Sequence, residues 1–442
     1  MDLRNELVDL DKRYVWHPYT DLDRWEGEEA RLVAASCEGA WITDVDGRRY
    51  LDANGSWWVS SLGHRHPRLV AALMKQAQTL PHVALAGITH DPAARLAAEL
   101  VEVAPGAETA PAEQRLSRAF FSDDGSTAVE VALKLCAQYW AQNGRPRRTR
   151  FITLTGAFHG ETIGATSVGG VPEFRSVFGP LLFEVVTVPS PAEPDGWARA
   201  FAEVERALAE RGEEIAGVVV EPLLQGAGGM QVYDPGFLRA LREATRAQDT
   251  FLIADEVFTG FGRTGATFAC ELAGIVPDVL CMAKALSGGL LPFGATLASA
   301  RIYEGFRGGR ERAFNYGHSY CGNPLGAAVA REVLAVMRDE EVIAGVRARA
   351  PRIEAAFRAM AEEIPGVVRP RALGMMGAVD LGEGGYLAGS GWRVYEAALR
   401  RNVLLRPLGS TVYIAPMLTL PEAELEALLG VVRECLLEVA GS

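Results

Sequence analysis

The chain has 442 residues, enough for about two domains and a core that can bury polar groups, and its 49% hydrophobic and 23% charged residues exclude a disordered or fibrous protein. Its 44 basic and 56 acidic residues leave a net charge of −12, which repels phosphate backbones and anionic lipid and argues against nucleic acid or a membrane as partner. The six cysteines, at 37, 136, 270, 281, 321 and 435, form no C-x-x-C pair and share no metal-ligand spacing with the seven histidines, so reduced thiols and no metal are expected.

The N-terminal MDLRNELVDLDKRY alternates charged and apolar residues without the apolar stretch of a signal peptide, and no later run reaches about 18 apolar residues, so a cytoplasmic protein is expected. Trp, His and Gly then concentrate up to about residue 75. SDDGSTAVEVALKLCAQYW (122–140) places Gly125, Ser126 and Thr127 before a helix with Val129, Ala132, Leu133, Cys136 and Trp140 on one stripe. Such a helix start suits an anion, although a plain Ser/Thr N-cap reads the same way.

Apolar runs of strand length follow: FITLT (151–155), GVVVEPLL (217–224), FLIADEV (251–257), VLCMAK (279–284) and GATLAS (294–299). Helical patterns separate several of them, as in 234–248 with Phe237, Leu241 and Ala244 on one face. This alternation predicts an α/β fold with a largely parallel sheet covered on both faces. The Pro- and Gly-rich 170–196 reads as a long surface excursion. Two amphipathic helices, AAVAREVLAVMRDEE and PEAELEALLGVVRECLLEVA, mark the C-terminal portion. The expected division is a large domain over 76–325 and a small domain built from 1–75 and 326–442.

Three buried-looking strands end in charge, at Glu221, Asp255 and Lys284. Each taken alone is more simply a solvated residue where a strand leaves the core. An Asp and a Lys together at the mouths of strands, where open sheets bind ligands, point to pyridoxal phosphate. That cofactor needs a lysine amine for its aldehyde and a carboxylate beside its ring nitrogen. GFGRTG (260–265) matches G-x-G-x-x-G and raises a competing reading, a nicotinamide-dinucleotide oxidoreductase. It fails on context, because DEVFT intervenes between strand and first glycine and its two carboxylates would repel a pyrophosphate.

Six ordered motifs, SDDGSTAVEVALK, GAFHGET, EPLLQGAGG, ADEVFTGFGRTG, AKALSGG and GHSYCGNPLG, resemble those of class III pyridoxal-phosphate aminotransferases over nearly the whole chain. The resemblance implies fold type I, a large domain with a mostly parallel sheet plus a smaller α/β domain, and a homodimer with active sites at the subunit interface. It implies Lys284 for the cofactor aldehyde, Asp255 for the ring nitrogen, Gly125 and Ser126 for the phosphate and Phe158 for the ring face. His318 and Ser319 would complete the phosphate site from across the interface.

WHPYT, GSWWVSSLGHRHP, HVALAGITH and LLRPLGSTVYIAP further resemble the branch of that class that aminates 8-amino-7-oxononanoate in biotin biosynthesis. That implies a substrate site of Tyr19, Trp57, Trp58, Gly317, Arg406 and Tyr413. A long methylene chain ending in a carboxylate suits aromatic walls and one guanidinium. Phe158, Glu161 and His318-Ser319 stand where that branch often has Tyr, Asp and Pro-Thr, which leaves adenosylmethionine as first and lysine as second amino donor.

Overall fold

The computed structural model describes residues 3–27, 32–193, 196–382 and 384–441. Its centre is a seven-stranded sheet of β1 (Leu116–Ser122), β2 (Arg150–Leu154), β3 (Val186–Val188), β4 (Ile215–Val220), β5 (Phe251–Asp255), β6 (Val279–Met282) and β7 (Gly294–Ser299), in the order β1-β7-β6-β5-β4-β2-β3. β3, β2, β4, β5 and β6 pair in parallel, and β7 runs antiparallel to β6 and β1. β4 and β5 are buried at every residue, so their sequences IAGVVV and FLIAD show no polar alternation.

Both edge strands escape the sequence pattern. β1 is buried at its ends, exposed at Arg118 and half-buried between, and β3 has three residues within the segment expected to be a surface excursion. The segment does run over the surface across 172–184, where no residue is buried, yet it also contributes the helix Pro172–Arg175, the 3₁₀ turn Ser176–Leu181 and an edge of the central sheet, while Pro194 and Asp195 lie outside the described residues. An edge strand is covered on fewer sides and keeps polar residues, which breaks the apolar run that marks a central strand.

Among the helices are α1 (Gly125–Gln142), α2 (Pro235–Ala247), α3 (Pro324–Asp339), α4 (Val342–Glu363) and α5 (Glu422–Ala440). α2 starts where DPG predicts: Asp234 accepts the Gly236 amide at 2.6 Å, Pro235 occupies the first turn, and Phe237, Leu238 and Leu241 are buried. Of two smaller sheets, one joins the chain's ends and the other is built from the C-terminal portion alone. Arg49–Asp52 pairs in parallel with Val403–Leu404, and Thr411–Ile414 completes an antiparallel sheet with Val367–Leu373 and Met376–Leu381. Among the described residues no helix is long and apolar enough to cross a membrane.

The adjacent carboxylates Asp255 and Glu256 turn to different tasks. Glu256 is fully buried and accepts Thr259 Oγ1 at 2.5 Å and the amides of Ala269 and Cys270 at 2.9 and 2.8 Å, folding the loop that contains GFGRTG around itself. Arg263 of that loop donates to the carbonyls of Met375 and Pro416, tying it to the C-terminal strands. The glycine motif therefore serves the core and does not open onto a helix start.

At the opposite end of the strands, Asp278 accepts Arg242 at 2.5 and 3.1 Å and the Leu252 amide at 2.8 Å, all buried. Removing one partner of such a pair strands the other charge. Arg242→Leu is expected to lose about 3–5 kcal/mol of unfolding free energy, with part restored in Arg242→Leu/Asp278→Asn, as measured by urea unfolding.

Candidate active site

Lys284 follows β6 and opens the 3₁₀ turn Lys284–Ser287 at φ 36°, a left-handed backbone that an L-residue keeps only where its surroundings hold it. Its amine lies 5.0 Å from the centre of the Trp58 ring. Burial draws its pKa below that of an ordinary lysine, against the opposing pull of Asp255 and Glu221.

Asp255 ends β5. Its Oδ2 accepts His159 Nδ1 at 2.7 Å and its Oδ1 accepts the Val257 amide at 3.1 Å. Both side chains of the Asp255–His159 pair are buried, and His159 Nε2 is buried with no hydrogen-bond partner among the described residues. Glu221, one residue beyond β4, accepts the amides of Phe158 and Gly226 at 2.9 and 2.8 Å and so fixes the wall that presents Phe158.

Gly125 and Ser126 form the first turn of α1. Asp124 and Thr127 make a reciprocal cap, at 2.7 Å from the Thr127 amide to Asp124 Oδ1 and 3.1 Å from the Asp124 amide to Thr127 Oγ1. Helix geometry gives the amides of Gly125 and Ser126 no intrahelical acceptor. Gly160, at φ 121°, packs so closely on this turn that a Cβ would stand 2.6 Å from Ser126 Cα. The Glu161 amide donates to Ser126 Oγ at 3.0 Å.

Lys284, Asp255, His159, Phe158 and the Gly125–Ser126 turn line one cavity of about 460 Å³. A primary amine, a buried carboxylate held by an imidazole, an open helix start and an aromatic face thus converge from four separate segments. Those features fit pyridoxal phosphate, with an anion site, a group for the ring nitrogen, an amine for the aldehyde and a flat apolar wall.

A second cavity of about 430 Å³ is lined by Tyr19, Trp57, Arg406, Tyr386 and Trp392. The Arg406 guanidinium lies 5.0 Å from the Trp57 ring and 5.2 Å from that of Trp392, and its Nη2 donates to the Tyr19 carbonyl at 3.4 Å. Among the described residues it has no carboxylate partner. The Tyr19 hydroxyl donates to Glu161 at 2.6 Å; burial first, then this bond, raises the Tyr19 pKa. Phe174 packs edge-on to both Phe158 and Tyr19, at 5.3 and 5.8 Å, and so touches one wall residue of each cavity.

The two tryptophans part company: Trp58 faces Lys284 and Trp57 faces Arg406. Tyr413 is fully buried and lines neither cavity; its hydroxyl accepts Trp58 Nε1 at 3.1 Å and braces that ring from behind. Gly317, His318 and Ser319 lie outside both linings, on the loop before α3. His318 Nε2 stands 3.5 Å from Asp123 Oδ1, while Gly317 and Ser319 are exposed. His159 lies within GAFHGET, where nothing local marks it as the partner of Asp255. Phe174, Tyr386 and Trp392 carry no local signal at all.

A mostly parallel sheet with these groups at its carboxyl ends defines the fold of the pyridoxal-phosphate-dependent, type I transferases. The family model of class III aminotransferases matches residues 24–436. A relative from Synechococcus elongatus, adenosylmethionine-8-amino-7-oxononanoate aminotransferase, is 43% identical over 96% of this chain and 99% of its own. The crystal structure of the protein so named from Methanocaldococcus jannaschii has a TM-score of 0.92 at 32% identity, covering 98% of this chain and 99% of that one. An omega transaminase of Pseudomonas jessenii in complex with PMP has a TM-score of 0.91 at 28% identity, covering 98% of both chains. The chain belongs to the class III aminotransferases and is an enzyme of that class.

Glu221 generates a pH prediction. Burial, opposed by His159, lifts its pKa from 4.5 to about 7. Between those values the folded chain holds a proton that the unfolded chain has released, so this group's contribution to stability falls as pH rises from about 4.5 to about 7. Glu221→Gln is expected to flatten that limb, measured as the difference between urea midpoints at pH 5 and pH 8.

Proposed function

We propose that this chain transfers an amino group from S-adenosylmethionine to 8-amino-7-oxononanoate to give 7,8-diaminononanoate, a step of biotin biosynthesis, using pyridoxal phosphate in the Lys284 cavity. In this reading it works in the cytoplasm as a homodimer, with Gly317, His318 and Ser319 serving the site across the interface. The observation that carries the substrate assignment is Arg406, set between two tryptophan faces without a carboxylate partner among the described residues, in a cavity next to that of Lys284. The names of the relatives from Synechococcus elongatus and Methanocaldococcus jannaschii support the same acceptor and donor.

Pyridoxal phosphate, when bound, supplies an aldehyde that captures amines and a ring that accepts electrons from the carbon losing its proton. Lys284 provides the amine that holds it. With its pKa drawn down by burial, Nζ is a free base at lower pH than an exposed lysine and would serve as the base that moves the substrate's proton. Asp255 would pair with the ring nitrogen, and the His159 Nδ1 contact keeps its carboxylate aimed. The Gly125 and Ser126 amides take the phosphate at the positive end of α1.

Phe158 would offer its flat face to the ring, and Trp58, braced by Tyr413, closes the cavity near the amine. On the acceptor side, Tyr19, Trp57 and Phe174 give apolar walls to the methylene chain while Arg406 grips its carboxylate in a charge-assisted, two-point contact. Two unlike substrates must use these walls in turn, which aromatic surfaces permit better than a tight polar cage.

Lys284→Ala is expected to abolish transamination with the far-ultraviolet circular dichroism spectrum unchanged; Asp255→Asn should cripple turnover while cofactor absorbance remains detectable. Arg406→Ala should selectively harm the acceptor half-reaction. Loss of a two-point charged contact costs about 2–5 kcal/mol, hence roughly thirtyfold to several thousandfold in acceptor specificity. Single-turnover absorbance with adenosylmethionine and with lysine reads each half-reaction. Equal loss in both would remove Arg406 from the acceptor grip, and a preference for lysine would change the donor alone.

A further inference from the structure

The turn after the strand Arg49–Asp52 holds an unusual run of backbone strain. Gly55, Ser56, Trp57 and Trp58 are consecutive left-handed residues at φ 53°, 46°, 62° and 74°, and no other run of this length occurs among the described residues. L-residues visit this region singly, because Cβ crowds the following carbonyl. Gly55 also permits close packing, since a Cβ there would stand 3.3 Å from the Ala415 carbonyl oxygen.

One buried side chain holds the run in place. Asp52, 1% exposed, accepts the amides of Asn54 and Ser56 at 3.1 and 2.7 Å, the Ser56 hydroxyl at 3.1 Å and His64 Nε2 at 3.0 Å. Four donors offset the desolvation of the carboxylate. The other ring nitrogen of His64 meets Ser60 Oγ at 3.3 Å, so the imidazole is held at both ends.

What the strain achieves is the parting of the tryptophans. Trp57 is turned against Arg406 and Trp58 over the Lys284 amine, each with 5.0 Å between cation and ring centre. Asn54 of the same turn accepts the Arg406 amide at 2.6 Å and donates to the Tyr413 carbonyl at 3.2 Å. The turn therefore reaches both cavities and the backbone of the residue facing the second.

We propose that Asp52, clamped by His64, is a positioning residue that sets Trp57 and Arg406 relative to the Lys284 cavity and thereby governs acceptor binding more than the donor half-reaction. This rests on the acceptor reading above. Asp52→Asn and His64→Leu are compared with His64→Gln, which retains a donor towards Asp52, in the cofactor-loaded enzyme. Asp52→Asn and His64→Leu are expected to raise the acceptor KM at least about tenfold, with acceptor kcat and the donor half-reaction within about threefold of the parent, and His64→Gln to restore the acceptor KM to within about threefold.

Equal loss in both half-reactions, an unchanged acceptor KM, or no difference between Leu and Gln at position 64 overturns the proposal. Should Asp52→Asn not fold, the His64 pair decides by the same criteria. Arg406→Ala in the same assay separates the two readings. If it leaves the acceptor half-reaction intact, the acceptor reading itself falls; if it impairs that half-reaction while the Asp52 and His64 variants do not, only the positioning role falls.

Discussion

A half-buried lysine and a buried aspartate carboxylate stand at the carboxyl ends of neighbouring strands, and neither charge would be tolerable there unpartnered. Asp255 is stabilised by His159 and the Val257 amide, and Lys284 feels the negative charge of Asp255 and Glu221. The sheet order sets this geometry, since β5 and β6 pair in parallel and deliver their carboxyl ends side by side. Glu221 arrives from β4 on the other side of β5. The cavity is thus a consequence of strand direction and sheet order, and the surrounding loops complete it.

Close backbone packing completes the walls. Gly160 lies on the first turn of α1 with no room for a side chain, and Gly228 packs on the Gly156 carbonyl where a Cβ would stand 2.0 Å away. Both contacts press the segments after β2 and β4 against their neighbours, so that Phe158 and His159 face the same space as Lys284. The fully buried Asp380 does comparable work on the C-terminal side, accepting Arg371, which also donates to the carbonyls of Gly229 and Met230.

The second cavity is built differently. Its aromatic lining comes from the N-terminal segment, the turn at 55–58 and the residues around 386–406, with a single guanidinium among them. Apolar walls with one cation favour a ligand that is mostly hydrocarbon and anionic at one end. The proposed acceptor has that form.

The central strands β4 to β6, helices α1 and α2, and the charged strand ends could be read directly from the chain, because burial on both faces produces uninterrupted apolar runs and each cap is a local event. The charged ends Asp255 and Lys284 were legible for the same reason, as charges interrupting such runs. The edge strands β1 and β3 were not legible, since partial exposure erases the periodicity. Nor were the separation of Trp57 from Trp58, the bracing of Trp58 by Tyr413, or the partnership of His159 with Asp255. Sequence alone determined which residue types stood at the strand mouths and helix start, since these follow from neighbours within a few positions. Tertiary structure decided which of them share a cavity, because residues as distant as 19, 57, 392 and 406 meet only when long-range packing and a strained, carboxylate-held turn bring them together.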